Sequence, residues 1–264
     1  MKLLTLNIHG VIDTKYDEKI DVFCSAILKH QPDVIALQEV MQPIANEKVD
    51  LQGEIIVLGE IPIKKGNLLL NIINRLREHN LKYHTAYVGL KKAYDYYDEG
   101  LAVLSKNEIC SFELVQLSKF NEYDNYKTRF ALGIRSDETW FYSVHFNWED
   151  DSDSPFIYEW KEIENVTKSK KNIYLMGDFN LSPKSKGYDT ILESYFDTYL
   201  LANEIDNGIT VKGEIDGWSG KKEDKRIDYI FTKKNIAIKS SYTIFNGKNE
   251  KKISDHYGVL VEKE

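Results

Sequence analysis

The segment IYLMGDFN, residues 173–180, runs from strand-forming apolar residues directly into a polar ending. Three more segments place polar side chains beside apolar ones in the same way: ALQE at 36–39, RIDY at 226–229 and SDH at 254–256. Buried strands of sheet proteins often end in such groups, and the ends of neighbouring strands meet in one crevice. The four segments therefore predict a single site. With a polar residue at the end of the first predicted strand, the candidates are Asn7, Glu39, Asp178, Asn180, Asp228, Asp255 and His256.

The chemistry of this set favours phosphoryl transfer assisted by a metal. It is rich in carboxylates, contains an imidazole and includes no cysteine, as suits a hard divalent cation. Ordinary interpretations stay open for single residues: Glu39 as a surface residue where a strand ends, and residues 177–180 as an Asx turn. Asp228 lies among strand-forming residues, so its carboxylate needs a partner. His256 is the candidate partner.

Hydrophobic periodicity predicts a mixed α/β protein. The expected helices cover residues 17–29, 67–78, 155–168 and 188–193. The expected strands cover residues 3–7, 34–37, 83–88, 101–105, 109–116, 129–135, 139–145, 173–176, 227–232, 236–245 and 257–262. Ser154 is predicted as a helix N-cap with Pro155 in the first turn, and residues 42–66 as an irregular stretch that could cover the site. This order favours two mixed sheets with helices outside, not a parallel doubly wound sheet.

Composition limits the classes of partner. The 264 residues contain only 5 prolines and no linker-like tract, so we expect one domain over 1–264. The net charge of −7 and the lysine runs mixed with acids disfavour nucleic acid, although net charge does not describe its distribution. Cys24 and Cys110 are predicted to be core thiols. Without a disulfide framework, a signal segment or an apolar membrane-length run, we expect a cytoplasmic protein without a membrane partner. The oligomeric state stays open.

In this order and spacing, the motifs resemble those of the endonuclease/exonuclease/phosphatase superfamily, which includes DNase I. The matching segments are TLN at 5–7, LQEV at 37–40, EGLAVLS at 99–105, SVH at 143–145, GDFN at 177–180, RIDY at 226–229 and SDH at 254–256. The resemblance implies a DNase I-like α/β fold: a four-layer α/β sandwich with two mixed β-sheets packed face to face and helices outside. It also implies a Mg²⁺ or Mn²⁺ ion at the sheet ends and in-line hydrolysis of a phosphoric ester.

The same resemblance implies a role for each residue. The metal ligands that it implies are Asn7, Glu39 and Asp255. The catalytic residues that it implies are His145, Asp178, Asn180, Asp228 and His256. Asp178 and Asn180 would position the attacking water and the phosphate. His256, held by Asp228, would act on the phosphoryl centre, and His145 would contact or protonate the substrate from the other side.

Aromatic residues beside these motifs favour a small-molecule pocket. Trp148 and Trp218 each lie near a catalytic motif, and flat rings suit stacking on sugars, although each ring could equally be an ordinary core or rim residue. Arg129, at a strand start, is a candidate phosphate or substrate anchor, or else a surface salt-bridge residue. The family resemblance also implies that Glu99 lies at the substrate site and orients His145.

Further segments resemble a cytoplasmic bacterial branch that includes maltose 6′-phosphate phosphatases. They are the stretch from Tyr96 to Ala102, HFNW at 145–148 and EIDGW at 214–218. This resemblance implies a metal-dependent phosphatase whose partner is a small sugar phosphate. The alternative is a phosphodiesterase or nuclease acting on DNA, and a binding domain without catalysis is a third interpretation.

Overall fold

The computed structural model describes residues 1–11, 15–213 and 223–264. Its helices are α1 (Tyr16–His30), α2 (Leu68–Glu78), α3 (Phe156–Thr167), α4 (Lys186–Leu192) and α5 (Thr198–Leu201). Its first seven strands are β1 (Lys2–Asn7), β2 (Val34–Pro43), β3 (Ile56–Leu58), β4 (His84–Ala93), β5 (Tyr97–Ser105), β6 (Ser111–Gln116) and β7 (Phe130–Ser136). The others are β8 (Thr139–His145), β9 (Ile173–Asp178), β10 (Phe196–Asp197), β11 (Ala202–Ile205), β12 (Asp228–Thr232), β13 (Ile238–Ile244) and β14 (Gly258–Lys263).

These strands form two mixed sheets, as the sequence predicts. One has eight strands in the order β11-β13-β14-β1-β2-β5-β4-β3, and the other has six in the order β10-β12-β9-β8-β7-β6. In the first sheet, β1 pairs with β2 in parallel and with β14 in antiparallel orientation. In the second, β9 pairs with β8 in parallel and with β12 in antiparallel orientation.

Side-chain alternation along the strands creates the layers. In β1, Leu3 belongs to the apolar cluster between the sheets, which it shares with Met176 of β9. Its neighbour Leu4 points to the opposite face and packs in the cluster that contains α1 and α2. The outer face of the six-stranded sheet packs against α3 and α4 through a third cluster, which includes Tyr142 and Trp160. The layers therefore run helix, sheet, sheet, helix, which confirms the expected four-layer sandwich.

Two local predictions, for Ser154 and for Cys110, were wrong. Pro155 occupies the N-cap of α3, and the hydroxyl of Ser154 donates to the Glu159 carboxylate instead of capping the helix. The sequence left open whether residues 42–66 cover the site. They do not line the cavity described below; within them β2 ends at Pro43, and Ile56–Leu58 forms β3 at the edge of the larger sheet. Cys24 is buried as predicted, but Cys110 is exposed, because it lies at the start of β6, an edge strand of its sheet.

Candidate active site

Three polar side chains stand at one end of the six-stranded sheet because their strands are paired in register there. Asp178, the last residue of β9, is opposite His145, the last residue of the parallel strand β8. It is also opposite Asp228, the first residue of the antiparallel strand β12. A parallel pair ends together, and an antiparallel partner begins where its neighbour ends. The pairing thus brings together residues that lie 33 and 50 positions apart in the sequence.

A backbone irregularity aims Glu39 at the same place. The pairing of β2 with β5 shifts by one residue between Leu37 and Val40, and Glu39 adopts a positive φ of 53°. Such a bulge redirects a side chain away from the alternation of the strand. The Asn7 amide then donates to Glu39 Oε1 at 2.8 Å and to Asp178 Oδ2 at 3.2 Å. Asn7 therefore joins the ends of the two sheets.

His256 lies between two carboxylates and is hydrogen-bonded to one of them. Its Nδ1 lies 2.9 Å from Asp228 Oδ2, and its Nε2 lies 3.8 Å from Asp178 Oδ2. Nε2 of His145 approaches the same Asp178 oxygen to 3.6 Å. The carboxylate of Asp178 thus has an imidazole on each of two sides.

Thr210, a buried residue that the sequence reading missed, links Asp228 to the His256 segment. Its hydroxyl oxygen accepts hydrogen bonds from the backbone N–H of Ile227 at 3.0 Å and of Asp228 at 3.2 Å. Its carbonyl oxygen accepts from the N–H of Tyr257 at 2.7 Å. One residue therefore fixes the backbone on both sides of the Asp228–His256 contact.

Asn180 keeps the turn after β9 in place. Its backbone N–H donates to Asp178 Oδ1 at 2.9 Å, which is the Asx turn left open by the sequence. Its side-chain amide donates to the carbonyl of Phe146 at 2.8 Å, and its φ is 50°. Both Asp178 and Asn180 line the cavity, so the turn and a place in the site are compatible.

Burial and neighbouring charges shift the pKa values of this group. Burial would lower the pKa of His256, but the charges of Asp228 and Asp178 outweigh it and raise it to about 10. Burial and the charge of Arg129 lower the pKa of His145 to about 3. Burial and the charge of Asp228 raise the pKa of Asp178. The two imidazoles therefore differ in charge at neutral pH, His256 being cationic and His145 neutral.

The side chains around Glu39 supply ligand atoms that suit a divalent metal ion. Asn7, Glu39 and Asp255 supply amide and carboxylate oxygens, which Mg²⁺ and Mn²⁺ prefer. His9, which the sequence reading missed, lies between the two carboxylates, with Nδ1 3.5 Å from Glu39 Oε2 and 3.7 Å from Asp255 Oδ1. Its position two residues beyond Asn7, at the end of β1, was the available signal. These four residues could together hold the ion.

A second compact group also has metal-like spacing. Ligand atoms of Asp178, Asp228 and His256 lie within 4.8 Å of one another, and all three residues are buried. Nδ1 of His256 is engaged with Oδ2 of Asp228, whereas Oδ1 of Asp228 is buried without a hydrogen-bond partner among the described residues. The group orients the imidazole and, like the residues around Glu39, offers atoms that could hold a cation.

These side chains open into a cavity of about 360 Å³. Its walls include the predicted substrate residues Glu99, Arg129 and Trp148. Among the described residues no hydrogen bond joins Glu99 to His145; Glu99 instead pairs with Lys91 at 3.4 Å. The expected orientation of His145 by Glu99 is thus absent, because the carboxylate is turned toward the lysine. Trp218 lies outside the described residues.

A sequence model of the endonuclease/exonuclease/phosphatase family matches residues 4–256, which is nearly the whole chain. The chain belongs to this family. Its members are phosphoric-ester hydrolases, and the site of this family protein carries the carboxylates and imidazoles that such chemistry requires. A sequence comparison with curated proteins finds no match.

Solved structures of the family have the same fold. A family protein from Leptotrichia buccalis C-1013-b is 30% identical, with a TM-score of 0.86 over 100% of this chain and 99% of its own. A mannosyl-6-phosphatase from Bacteroides thetaiotaomicron VPI-5482 is 15% identical, with a TM-score of 0.66 over 99% and 98%. A 3′-5′ exonuclease from Neisseria meningitidis is 16% identical, with a TM-score of 0.64 over 100% of both chains. The last two likenesses concern the fold alone.

Among the helices of the described residues, none combines the length and apolar character needed to cross a membrane.

Proposed function

We propose that this family protein is a Mg²⁺- or Mn²⁺-dependent phosphatase that releases phosphate from a sugar phosphate such as maltose 6′-phosphate. The observation that carries the proposal is the cavity, which joins the carboxylates and imidazoles to the aromatic side chains of Tyr94, Tyr126 and Trp148. Its volume of about 360 Å³ lies at the small end of ligand pockets. A small ester with an apolar sugar face suits it better than a polymer does.

The polar end of the cavity would hold the phosphate. Glu39, with Asn7, Asp255 and the newly found His9, would hold the metal. A bound Mg²⁺ or Mn²⁺ ion supplies charge neutralisation at the phosphoryl oxygens. Asp178, buried at the centre of the site, would position the attacking water.

Hydrolysis by this arrangement is an in-line displacement. The water oxygen forms a bond to phosphorus and gives up one proton, the bond from phosphorus to the sugar oxygen breaks, and the sugar oxygen gains one proton, so that the products are the free sugar and inorganic phosphate. Asn180 lies beside Asp178 and would contact the phosphate. His256, fixed by Asp228 at 2.9 Å, would contact the phosphoryl oxygens, and His145 would serve the opposite side of the group.

The other parts of the proposal follow from composition. We assign the whole chain, 1–264, to one catalytic domain, located in the cytoplasm, with a small sugar phosphate as its partner. The net charge of −7 and the pI of about 5.5 agree with a small substrate, because binders of long nucleic acids usually present an excess of basic residues.

A second candidate is a phosphodiesterase acting on nucleic acid, and one observation favours it. A surface groove of about 480 Å³ begins at His9 and Asp255 of the site and continues along α1. Its basic residues are Lys15, Lys19, Lys251 and Lys252. A groove of this kind could follow a phosphate backbone. Lys251 is paired with Glu18 at 2.9 Å, which reduces the positive charge available there.

One experiment separates the two candidates. Phosphate release with Mg²⁺ would be measured on a panel of mono- and disaccharide phosphates, beside nicking of plasmid and of an abasic-site oligonucleotide. Asp178→Ala serves as the control for contaminating activity. Release from a sugar phosphate that is lost in Asp178→Ala supports the phosphatase. Nicking without release from any sugar phosphate would replace it with the nuclease.

A further inference from the structure

One wall of the cavity contains two cations that the sequence analysis did not connect. Lys91 lies on β4, and Arg129 precedes β7. Both side chains line the cavity with Glu39, Asp178 and the two imidazoles. We call Lys91 and Arg129 the cationic wall.

A bulge aims Lys91 into the cavity. In the pairing of β4 with β5, Gly89 is opposite Gly100 and Lys91 is opposite Glu99, so that Leu90 is an extra residue. The extra residue reverses the alternation of β4 at this point, and such bulges often lie next to active sites. The Lys91 side chain is only 5% exposed, so its ammonium group has been removed from bulk water for these contacts.

A single carbonyl holds both cations. Nζ of Lys91 donates to the carbonyl oxygen of Tyr126 at 2.7 Å, and Nη1 of Arg129 donates to the same oxygen at 3.0 Å. Nη1 also donates to the carbonyl of Thr128 at 3.3 Å. Two positive charges that share one neutral acceptor repel each other, and this arrangement is favourable when an anion lies between them or beside them.

Lys91 and Arg129 have N–H groups that are not used in the contacts described above. An ammonium group has three N–H donors; the contacts of Lys91 with Tyr126 and with Glu99 at 3.4 Å account for two of them. Nε of Arg129 is buried and has no hydrogen-bond partner among the described residues. A buried donor without a partner is costly, so a turn of the guanidinium toward a ligand oxygen in the cavity would be favourable.

The charge of Arg129 also reaches the catalytic groups. Burial, together with the charge of Arg129, lowers the pKa of His145. Burial also lowers the pKa of Arg129 itself, and the charges of nearby carboxylates, including Glu39 and Asp178, partly offset this shift. The cationic wall therefore faces the same space in which the phosphoryl group would bind.

From this arrangement we infer that the cationic wall selects phosphomonoesters over phosphodiesters by binding the additional charge and the additional terminal oxygen of a monoester. A monoester carries nearly two negative charges at neutral pH and three terminal oxygens, whereas a diester carries one charge and two such oxygens. Lys91 and Arg129 can donate to the third oxygen. The inference rests on the proposed phosphatase function and explains why that site would prefer a terminal phosphate.

Equilibrium binding tests this inference separately from turnover. Isothermal titration of the metal-loaded full chain would compare inorganic phosphate, which represents the monoester, with dimethyl phosphate, which represents the diester. We expect the wild type to prefer inorganic phosphate. We expect Lys91→Met to reduce that preference by about tenfold or more, as loss of a charge-assisted hydrogen bond predicts. Lys239→Met is the matched control, because it removes the same charge from an exposed residue paired with Glu262.

Arg129→Lys provides a second variant. It retains the positive charge but loses the planar set of N–H donors of the guanidinium group. If Lys91→Met fails to fold, the anion preference of Arg129→Lys tests the inference instead. An equal affinity of the wild type for the two anions would overturn the inference. So would an unchanged preference in a folded Lys91→Met or Arg129→Lys protein. Failure of the proposed function would appear elsewhere, as absence of phosphate release from the sugar-phosphate panel, whatever the titrations show.

Discussion

Nδ1 of His256 lies 2.9 Å from Oδ2 of Asp228, and both residues are buried. The carboxylate thereby fixes the orientation of the ring and leaves Nε2 directed toward Asp178, 3.8 Å away. Because one ring nitrogen is engaged with Asp228, only the other is free to serve the substrate. The contact thus determines which atom of His256 faces the reaction.

His256→Ala should lower turnover by about 10²–10⁴-fold while the protein remains folded, because the variant removes the imidazole that we propose to act on the phosphoryl centre. Steady-state phosphate release and circular dichroism would measure the two effects. His84→Ala, at an exposed position outside the cavity, is the control. Full activity of His256→Ala would show that His256 takes no part in the mechanism.

Glu39→Gln should specifically weaken the binding of the metal ion. The amide keeps the size of the side chain and can still accept from Asn7, but it lacks the charge that binds a divalent ion. We expect the metal concentration for half-maximal activity to rise by about tenfold or more. A titration with Mg²⁺ and Mn²⁺ after chelation would measure it, with the exposed Glu47→Gln as the control. An unchanged titration curve would transfer the ligand role to another residue.

Thr210→Val should lower kcat by about tenfold to a hundredfold, because it removes the hydroxyl that accepts from the backbone of Ile227 and Asp228. Thr210→Ser retains the hydroxyl and should recover most of the rate. KM should change less than kcat, since Thr210 does not line the cavity. Equal rates for the valine and serine variants would show that the hydroxyl does not position Asp228.

Asp197→Ala should destabilise the protein by about 3–5 kcal/mol. Nη1 of Arg226 donates to Asp197 Oδ2 at 2.7 Å, and the Tyr188 hydroxyl donates to the same oxygen at 2.8 Å. The variant leaves a largely buried guanidinium without its carboxylate, and urea unfolding would measure the loss. Lys239→Met, which breaks an exposed pair, should change stability by no more than about 0.5 kcal/mol. A comparably small loss in Asp197→Ala would show that stacking on the surrounding tyrosines is sufficient to hold Arg226.

The parts of the site that could be predicted are those at regular strand ends. Asp178 and His145 end strands, Asp228 begins one, and the alternation of apolar residues determines the location of each. Lys91 could not be found in this way, because the extra residue at Leu90 breaks the period of two on which such reasoning depends. The same applies to the direction of Glu39, although the family resemblance identified that residue.

The layered arrangement of helices and sheets could be predicted from the sequence, because long apolar segments with clear periodicity form most of the core. Short elements such as β3 and β10 were missed because three and two residues give too little pattern. The exposure of Cys110 was also missed, since its apolar neighbours do not show that it lies at the border of a sheet.

Gly100 of β5 lies between the two bulges, opposite Val40 of β2 on one side and Gly89 of β4 on the other. A methyl group there would come within 2.0 Å of the Val88 carbonyl oxygen, so the strands can approach closely only around glycine. Glu39, a proposed metal ligand, and Lys91, which we infer to sort substrates, are consequently carried by different neighbours of a common strand. On these assignments, directed evolution of residues 91–93 would retune substrate preference while the hydrolytic centre and the core beneath it keep their sequence.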